Sequence, residues 1–251
     1  MKILVIGETC RDVFTYGRCT RLSPESPVPV FNPIETIVND GMAKNVQSNI
    51  LSLNVDCHLI TNPNWQDITK TRFIEKRSNH MFLRVDKNDD RYGRINLKKI
   101  NFSEYDIVVI SDYNKGFLSE KDIQQISCLH DVTFLDTKKK LGEWCKDIKF
   151  IKINNFEYDK TKDSLTKHLK SKMIITLGGD GAQYQGKKFP VDNVEVKDVA
   201  GAGDTFIAGL VVKYSETQNI ADSIIFANKC ATLAVQKRGV SVVGEKNDIE
   251  I

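Results

Sequence analysis

The sequence predicts an α/β fold built on a mostly parallel sheet, and three observations lead there. Short apolar runs recur at Ile3–Ile6, Ile107–Ile110, Val132–Leu135, Phe150–Ile153 and Met173–Leu177. They are rich in β-branched residues and apolar on both faces, as strands covered by helices on each side must be. Stretches with helical spacing lie between them, the alternation expected of crossover units. The 251 residues, 41% hydrophobic and 27% charged, suffice for one large domain over residues 1–251 with a proper core.

Ile3–Ile6 is the first strand. It is too short for a signal-peptide core, and Glu8, Arg11 and Asp12 follow at once. Arg21–Val38 carries Pro24, Pro27, Pro29 and Pro33 among Val28, Val30, Phe31, Ile34 and Ile37. Prolines bar it from a central sheet but permit edge strands. Asn45–Leu53 sets Val46, Asn49, Ile50 and Leu53 at helical spacing. Thr69–Asp86 alternates around Arg72–Ile74 and Phe82–Val85, which predicts a second strand pair. Residues of about 16–38 and 69–86 together read as a small β-lid projecting from the main sheet; the alternative is ordinary surface hairpins. Ser119-Glu120-Lys121-Asp122 has the form of a capped helix start before Ile123 and Ile126.

The formal net charge is +3, from 36 basic and 33 acidic residues. The charges are spread along the chain, which predicts no nucleic-acid partner. The longest basic run, Lys138-Lys139-Lys140, reads as a solvated turn after a strand. Six cysteines form no Cys-x-x-Cys pair and no cluster with metal-ligand spacing. Free thiols in a reducing, cytoplasmic compartment are the expectation. No apolar run approaches the roughly 20 residues that span a bilayer, so no membrane partner is expected.

The most informative stretch is Val194-Glu195-Val196-Lys197-Asp198-Val199-Ala200-Gly201-Ala202-Gly203-Asp204, followed by Thr205–Leu210. Val194 and Val196 read as the end of a strand. Phe206, Ile207, Leu210, Val211 and Tyr214 then fall on one side of a helix. Between them Gly201 and Gly203 let backbone N–H groups approach an anion closely. The helix start adds unpaired donors and the positive end of its dipole. A carboxylate there would repel phosphate, unless Asp204 is the base that takes a proton from an attacking hydroxyl. The alternative is that Asp204 merely caps the helix. No Gly-Lys-Ser/Thr follows, and the position near the C-terminus excludes a Rossmann fingerprint.

At Asp198-Val199-Ala200-Gly201-Ala202-Gly203-Asp204 the sequence resembles the ribokinase-like (PfkB) carbohydrate kinase family. Gly7–Asp12, Tyr16-Gly17 and Arg21-Leu22-Ser23-Pro24-Glu25-Ser26-Pro27-Val28-Pro29-Val30 are similar to the N-terminus of its heptose 7-phosphate kinases. Ser111–Gly116 and Asp136-Thr137-Lys138 resemble two further blocks of the same kinases, so the resemblance covers most of the chain. It implies a three-layer α/β/α sandwich with a mostly parallel sheet and a small projecting β-lid. It implies ATP and Mg²⁺, and transfer of the γ-phosphoryl group to the anomeric hydroxyl of a heptose 7-phosphate.

The resemblance also implies roles for particular positions. Asp204 is the base and Gly201, Ala202 and Gly203 form the anion hole. Thr176, Gly178, Gly179 and Gly181 form a nucleotide loop, with Asn228 on the adenine side or simply a helix-surface amide. Asn154 and Glu157 fit the Asn-x-x-Glu motif that positions Mg²⁺ through water. Asp198, with Val199 and the Gly239–Ser241 turn, resembles a site for a monovalent cation such as K⁺. Asp12, Gly41 and Asn45 face the sugar. Arg72, Arg84, Lys115 and Lys138 are candidate contacts for a substrate phosphate, Arg being suited to bidentate binding.

Three departures stand out. A glycine pair of the family reads here as Gly41-Met42, which would reshape the sugar pocket. The segment after Ile60 is short, which predicts a lost crossover helix. The nucleotidyltransferase domain often fused to heptose kinases is not expected before Ile251, so a separate enzyme would add the adenylyl group. The lid is expected to pair with a second copy as a homodimer. A ribokinase-like kinase for another sugar, or a non-catalytic sensor on the same fold, are the competing readings.

Overall fold

The computed structural model describes residues 1–244 and Ile249. In order the chain forms β1 (Lys2–Gly7), β2 (Thr9–Leu22), β3 (Pro29–Met42), α1 (Ala43–Ser52), β4 (Asp56–Ile60), β5 (Thr69–Glu75), β6 (Met81–Lys87) and β7 (Ile107–Asp112). It continues with α2 (Glu120–Leu129), β8 (Thr133–Thr137), β9 (Phe150–Asn154), α3 (Asn155–Thr161), α4 (Lys167–Ser171) and β10 (Met173–Thr176). Two short strands follow, β11 (Ala182–Tyr184) and β12 (Lys187–Phe189), then α5 (Ala202–Thr217) and α6 (Ile220–Val235).

Eight strands make the central sheet in the order β12-β11-β10-β9-β8-β7-β1-β4. Pairing is parallel from β4 through β1, β7, β8 and β9 to β10, and antiparallel in the edge hairpins β10–β11–β12. The period-2 geometry of a strand explains why these runs are apolar throughout. Ile3, Val5, Ile107 and Val109 enter the core beneath α1, α5 and α6, whereas Leu4, Ile6, Val108 and Ile110 enter the core on the opposite face. The result is a three-layer α/β/α sandwich. No helix among the described residues is long and apolar enough to cross a membrane.

Between β4 and β5 there is only a single 3-10 turn, Trp65–Asp67, as the shortened sequence there predicts. The sheet face is covered instead by irregular chain after β6, which contributes Tyr92 and Phe102 to the core. Helix α5 departs from the one-sided pattern. Every residue from Asp204 to Val212 is buried, because α5 packs against both α1 and α6.

The second sheet has the order β3-β2-β5-β6. It is longer than residues 16–38 and 69–86, beginning at Thr9 and reaching Met42 and Lys87. Its inner face buries Phe14, Tyr16 and Ile74 against Ala200 and Val240. Two side-chain amides fasten it: Asn39 Nδ2 donates to the Val240 carbonyl and Asn79 Nδ2 to the Lys197 carbonyl, each at 2.8 Å. The lid therefore sits directly over the glycine-rich loop.

Two local expectations are corrected. Val194 and Val196 are not in a strand; β12 ends at Phe189, and the chain from 190 to 201 is irregular. Pro190 and the absence of a neighbouring strand for it explain the loss of pairing. Lys138–Lys140 is a bend after β8 with Lys138 and Lys140 exposed, but Lys139 departs from a solvated turn, since it turns inward to pair with buried Asp112.

Candidate active site

The base candidate sits at the start of α5. Gly201 is the N-cap residue in the left-handed region, at φ 79° and ψ −2°, which glycine adopts at little cost. Asp204 lies three residues further, and its side chain makes no cap bond. Its carboxylate instead accepts Asn45 Nδ2 on Oδ2 at 3.0 Å and the Tyr113 hydroxyl on Oδ1 at 2.7 Å. Asn45 stands in the first turn of α1, and Asn49 Nδ2 braces it through its carbonyl and Oδ1 at 2.9 and 3.0 Å. Burial pushes the Asp204 carboxyl up to about 6; the bonds from Asn45 and Tyr113 pull it down, the Asp136 charge raises it and Lys152 lowers it. A carboxyl poised near neutrality at a helix N-terminus is suited to proton transfer, not to helix capping.

Lys152 had no signal in the sequence beyond being a lysine in an apolar strand. Its side chain is 4% exposed and pairs with Asp136 Oδ2 at 2.8 Å. A Cβ on Gly203 would lie 2.9 Å from Lys152 Nζ. Gly203 thus admits a buried ammonium directly against the anion loop. Asp136 Oδ1 is buried without a partner.

On the other side of the loop lies a cavity of about 250 Å³. Thr176, Gly178, Gly179, Gly181 and Asn228 all line it, together with Ala202 and Gly203. Asn228 is buried, not a surface amide, and its Nδ2 donates to the Phe189 carbonyl at 2.8 Å. The irregular segment after Pro190 supplies an apolar wall through Val191, Val194 and Val196. It is held to α6 by the Lys197 and Asp198 N–H groups, which donate to the Val235 carbonyl at 2.8 and 3.2 Å. An apolar slot that ends at a glycine-rich helix start fits a base at one end and phosphates at the other.

The lid supplies the remaining charged groups. Asp12 Oδ1 accepts Arg72 at 2.5 Å. A Cβ on Gly41 would collide with Asp12 Oδ2, so that glycine is what lets the carboxylate lie there. Arg84 makes a bidentate pair with Asp86 at 2.8 and 2.9 Å. Lys70, 6% exposed, bridges Asp86 and Asp89, and Lys115 joins at Asp89. Although burial opposes it, Lys115, Lys70 and Tyr92 hold the Asp89 carboxyl down at about 2. Arg84 and Lys115 therefore belong to one network with Lys70, which the sequence did not single out. Arg72 stands two residues along β5 from Lys70, on the same face.

Lys138 is elsewhere, 2.5 Å from Glu157 Oε1. Asn154 and Glu157 form a capping box at the start of α3, with bonds of 2.8 and 3.1 Å. Asp198 accepts the N–H groups of Ala200 and Gly239 at 2.9 and 3.0 Å, tying the anion loop to the Gly239–Ser241 turn. Met42, before α1, has φ 62° and ψ −132°, a backbone region that glycine enters freely and other residues rarely. Its buried side chain meets the Tyr92 hydroxyl at 3.8 Å.

Comparison with known proteins is consistent with this geometry. The pfkB family carbohydrate kinase profile matches residues 51–247. The chain is 30% identical to the bifunctional protein HldE of Helicobacter pylori strain G27, over 95% of this chain and 63% of that protein. It is 28% identical to HldE of a Nitratiruptor species, over 96% of this chain and 62% of that protein. The chain thus spans somewhat under two thirds of the length of these relatives. Among solved structures, a ribokinase from Thermotoga maritima superposes with a TM-score of 0.72 at 17% identity, covering 99% of this chain and 96% of that one. A nucleoside kinase from Methanocaldococcus jannaschii gives 0.74 at 14% identity, covering 99% and 97%.

Proposed function

Because the chain belongs to the pfkB family of carbohydrate kinases, we propose that it uses ATP to phosphorylate the anomeric hydroxyl of a heptose 7-phosphate. The observation that carries this reading is Asp204, buried, raised to about 6 and set beside the glycine loop that borders the apolar cavity. In this reading the cavity takes the nucleotide. Asp204 accepts the proton of the sugar hydroxyl as that oxygen attacks phosphorus. The Gly201–Gly203 amides and the Lys152 ammonium face the charge of the transferring group. Asp12 and Asn45 orient the sugar.

The residues present fit Mg²⁺. Asp136 Oδ1 is a buried carboxylate oxygen without a partner, and Glu157 is held nearby by Asn154 and Lys138. No group of three or more His, Cys, Asp or Glu converges among the described residues, so such an ion would be held chiefly by water and nucleotide phosphates. Bound there, Mg²⁺ supplies neutralising charge to the β- and γ-phosphates. Asp198 and the buried, unpartnered Ser241 Oγ support a K⁺ site beside the anion loop.

The heptose 7-phosphate assignment rests on the HldE relatives and on the Lys70–Arg72–Arg84–Lys115 cluster, where a phosphate dianion would replace Asp86 and Asp89 as partner. ADP release would be measured with Mg²⁺–ATP and D-glycero-D-manno-heptose 7-phosphate, the unphosphorylated heptose, fructose 6-phosphate, ribose and adenosine. The heptose phosphate is expected to lead, with kcat/KM about 100-fold above the unphosphorylated heptose. Lys115→Met is expected to remove most of that preference. Faster turnover of ribose, adenosine or fructose 6-phosphate would replace this acceptor. The strained Met42 beside Gly41 favours that second reading, a ribokinase-like kinase for another sugar. Silence with every acceptor would leave a sensor.

The lid also supports a homodimer. Val38 of β3 and Leu83 and Val85 of β6 are exposed, at 45%, 55% and 45%, on the face opposite Phe14 and Ile74. A second copy of the chain laid face to face would cover them. Light scattering at micromolar concentration is expected to give twice the 28.4 kDa chain mass; a monomer would refute the dimer.

A further inference from the structure

We propose that Tyr113 is the positioning residue of Asp204, with Glu8 as the buried anchor of the loop that presents it. The inference rests on the reading of Asp204 as the base. It starts from geometry. The Tyr113 hydroxyl holds Asp204 Oδ1 at 2.7 Å while Asn45 holds Oδ2 at 3.0 Å. With one donor on each oxygen the carboxylate plane is fixed, and each oxygen keeps lone-pair capacity for the acceptor hydroxyl.

The loop after β7 is built to hold that phenol still. Glu8, fully buried between β1 and β2, accepts the backbone N–H groups of Tyr113 at 2.8 Å, Lys115 at 3.0 Å and Phe117 at 3.3 Å. Three donors converge on one carboxylate. Asp112, 1% exposed, is clamped by Lys139 at 2.8 and 3.0 Å and by Thr137. It also accepts the N–H of Asn114 at 3.2 Å, and Asn114 itself takes the left-handed φ of 57°. Burying two carboxylates to fix four backbone N–H groups is costly unless something in the loop must not move. Tyr113 is the residue whose side chain leaves this loop for Asp204.

The direction of the bond is set as well. Burial, and next the Asp204 charge, push the Tyr113 phenol well above its ordinary value. It therefore stays protonated and donates. Donation favours the ionised carboxylate, the form that serves as base. The other charged groups that act on this pair are Asp136 of β8, Lys138 after β8, Lys152 of β9 and Asp12 of β2. Tyr113→Phe changes none of them.

The test uses the full chain labelled with ¹³Cγ-aspartate, with Asp204→Asn identifying the signal. In Tyr113→Phe the Asp204 midpoint is expected to rise by about one pH unit. The acid limb of kcat/KM should rise with it, so that the rate loss is about fivefold larger at pH 6 than at pH 8, with KM for ATP unchanged. An unchanged midpoint and an unchanged pH profile, with or without a slower rate, would overturn the proposal. Should the variant not fold, wild type carrying ¹³Cζ-tyrosine answers the same question. The Tyr113 carbon must then titrate with the Asp204 midpoint, and a pH-invariant signal overturns the proposal. Turnover by Asp204→Asn near the wild-type rate would sink the base reading instead. An inactive Asp204→Asn beside a Tyr113→Phe that titrates like wild type sinks only the role of Tyr113.

Discussion

Asp204→Asn is expected to lower kcat by about 10³-fold, the middle of the range for loss of a general base, while nucleotide binding is retained. Thr176, Gly178, Gly179 and Asn228 line the cavity, and none of them touches Asp204 through a hydrogen bond in this structure. Calorimetry with ADP should therefore give an affinity within a few-fold of wild type. The variant should also be more stable at neutral pH. Burial raises the Asp204 carboxyl from 3.8 to about 6, so the folded chain binds this proton more tightly than the unfolded chain does. That contribution is fully present below pH 3.8 and is lost as pH rises through about 6. At pH 7 the wild type carries a penalty of roughly 3 kcal/mol for the buried charge. Asn carries none, less the mismatch of its amide facing Asn45. A melting temperature above wild type at pH 7, and no such gain at pH 4, is the expected pattern. A variant that is less stable at both pH values would mean that Asp204 is a structural group after all. Loss of rate together with gain of stability is what a strained functional carboxylate produces.

The parts that local pattern could reveal were those set by local physics. Short runs apolar on both faces revealed the central sheet, because Ile3 and Leu4 enter opposite cores. The glycine loop before α5 was legible because its backbone conformation demands glycine. Residues whose meaning depends on distant neighbours were not legible. Lys152 sits in the middle of a buried strand and makes sense only with Asp136, 16 positions earlier on β8. Lys70 carries no local signal, and its role appears only with Asp86 and Asp89, which it pairs with from β5. Tyr113 lies within the Ser111–Gly116 segment, yet its partner Asp204 is 91 residues away. Val194 and Val196 alternate as a strand would, but no strand is beside them to pair with; they wall a cavity instead. Alternation reports which side chains are sheltered, and a cavity wall shelters them as a sheet does.

Lys152→Met should have the largest effect on stability and a second large effect on rate. The substitution keeps an apolar stem of similar length but removes the ammonium that holds Asp136. The Asp136 carboxylate is 9% exposed and already has one oxygen unpartnered. Leaving it without its hydrogen-bonded cation is expected to cost about 3 kcal/mol, read as a lower denaturation midpoint in urea. Turnover should fall about 100-fold, because the ammonium lies against Gly203 where charge develops. The single variant alone cannot separate these two roles, and the double variant Lys152→Met/Asp136→Leu does. Replacing a buried pair by apolar groups of similar size is often neutral for folding, so the urea midpoint should return most of the way to wild type. The two charges act on Asp204 in opposite directions, Asp136 raising its carboxyl and Lys152 lowering it. Their joint removal should therefore leave the acid limb of the pH profile nearly in place. If turnover stays about 100-fold down in that stable, normally titrating double variant while the Mg²⁺ concentration for half-maximal rate is unchanged, the missing ammonium, and not the lost Asp136 carboxylate, is what the reaction lacks. If turnover recovers along with stability, Lys152 serves only as the counter-ion of Asp136, and the anion loop works through its backbone amides alone.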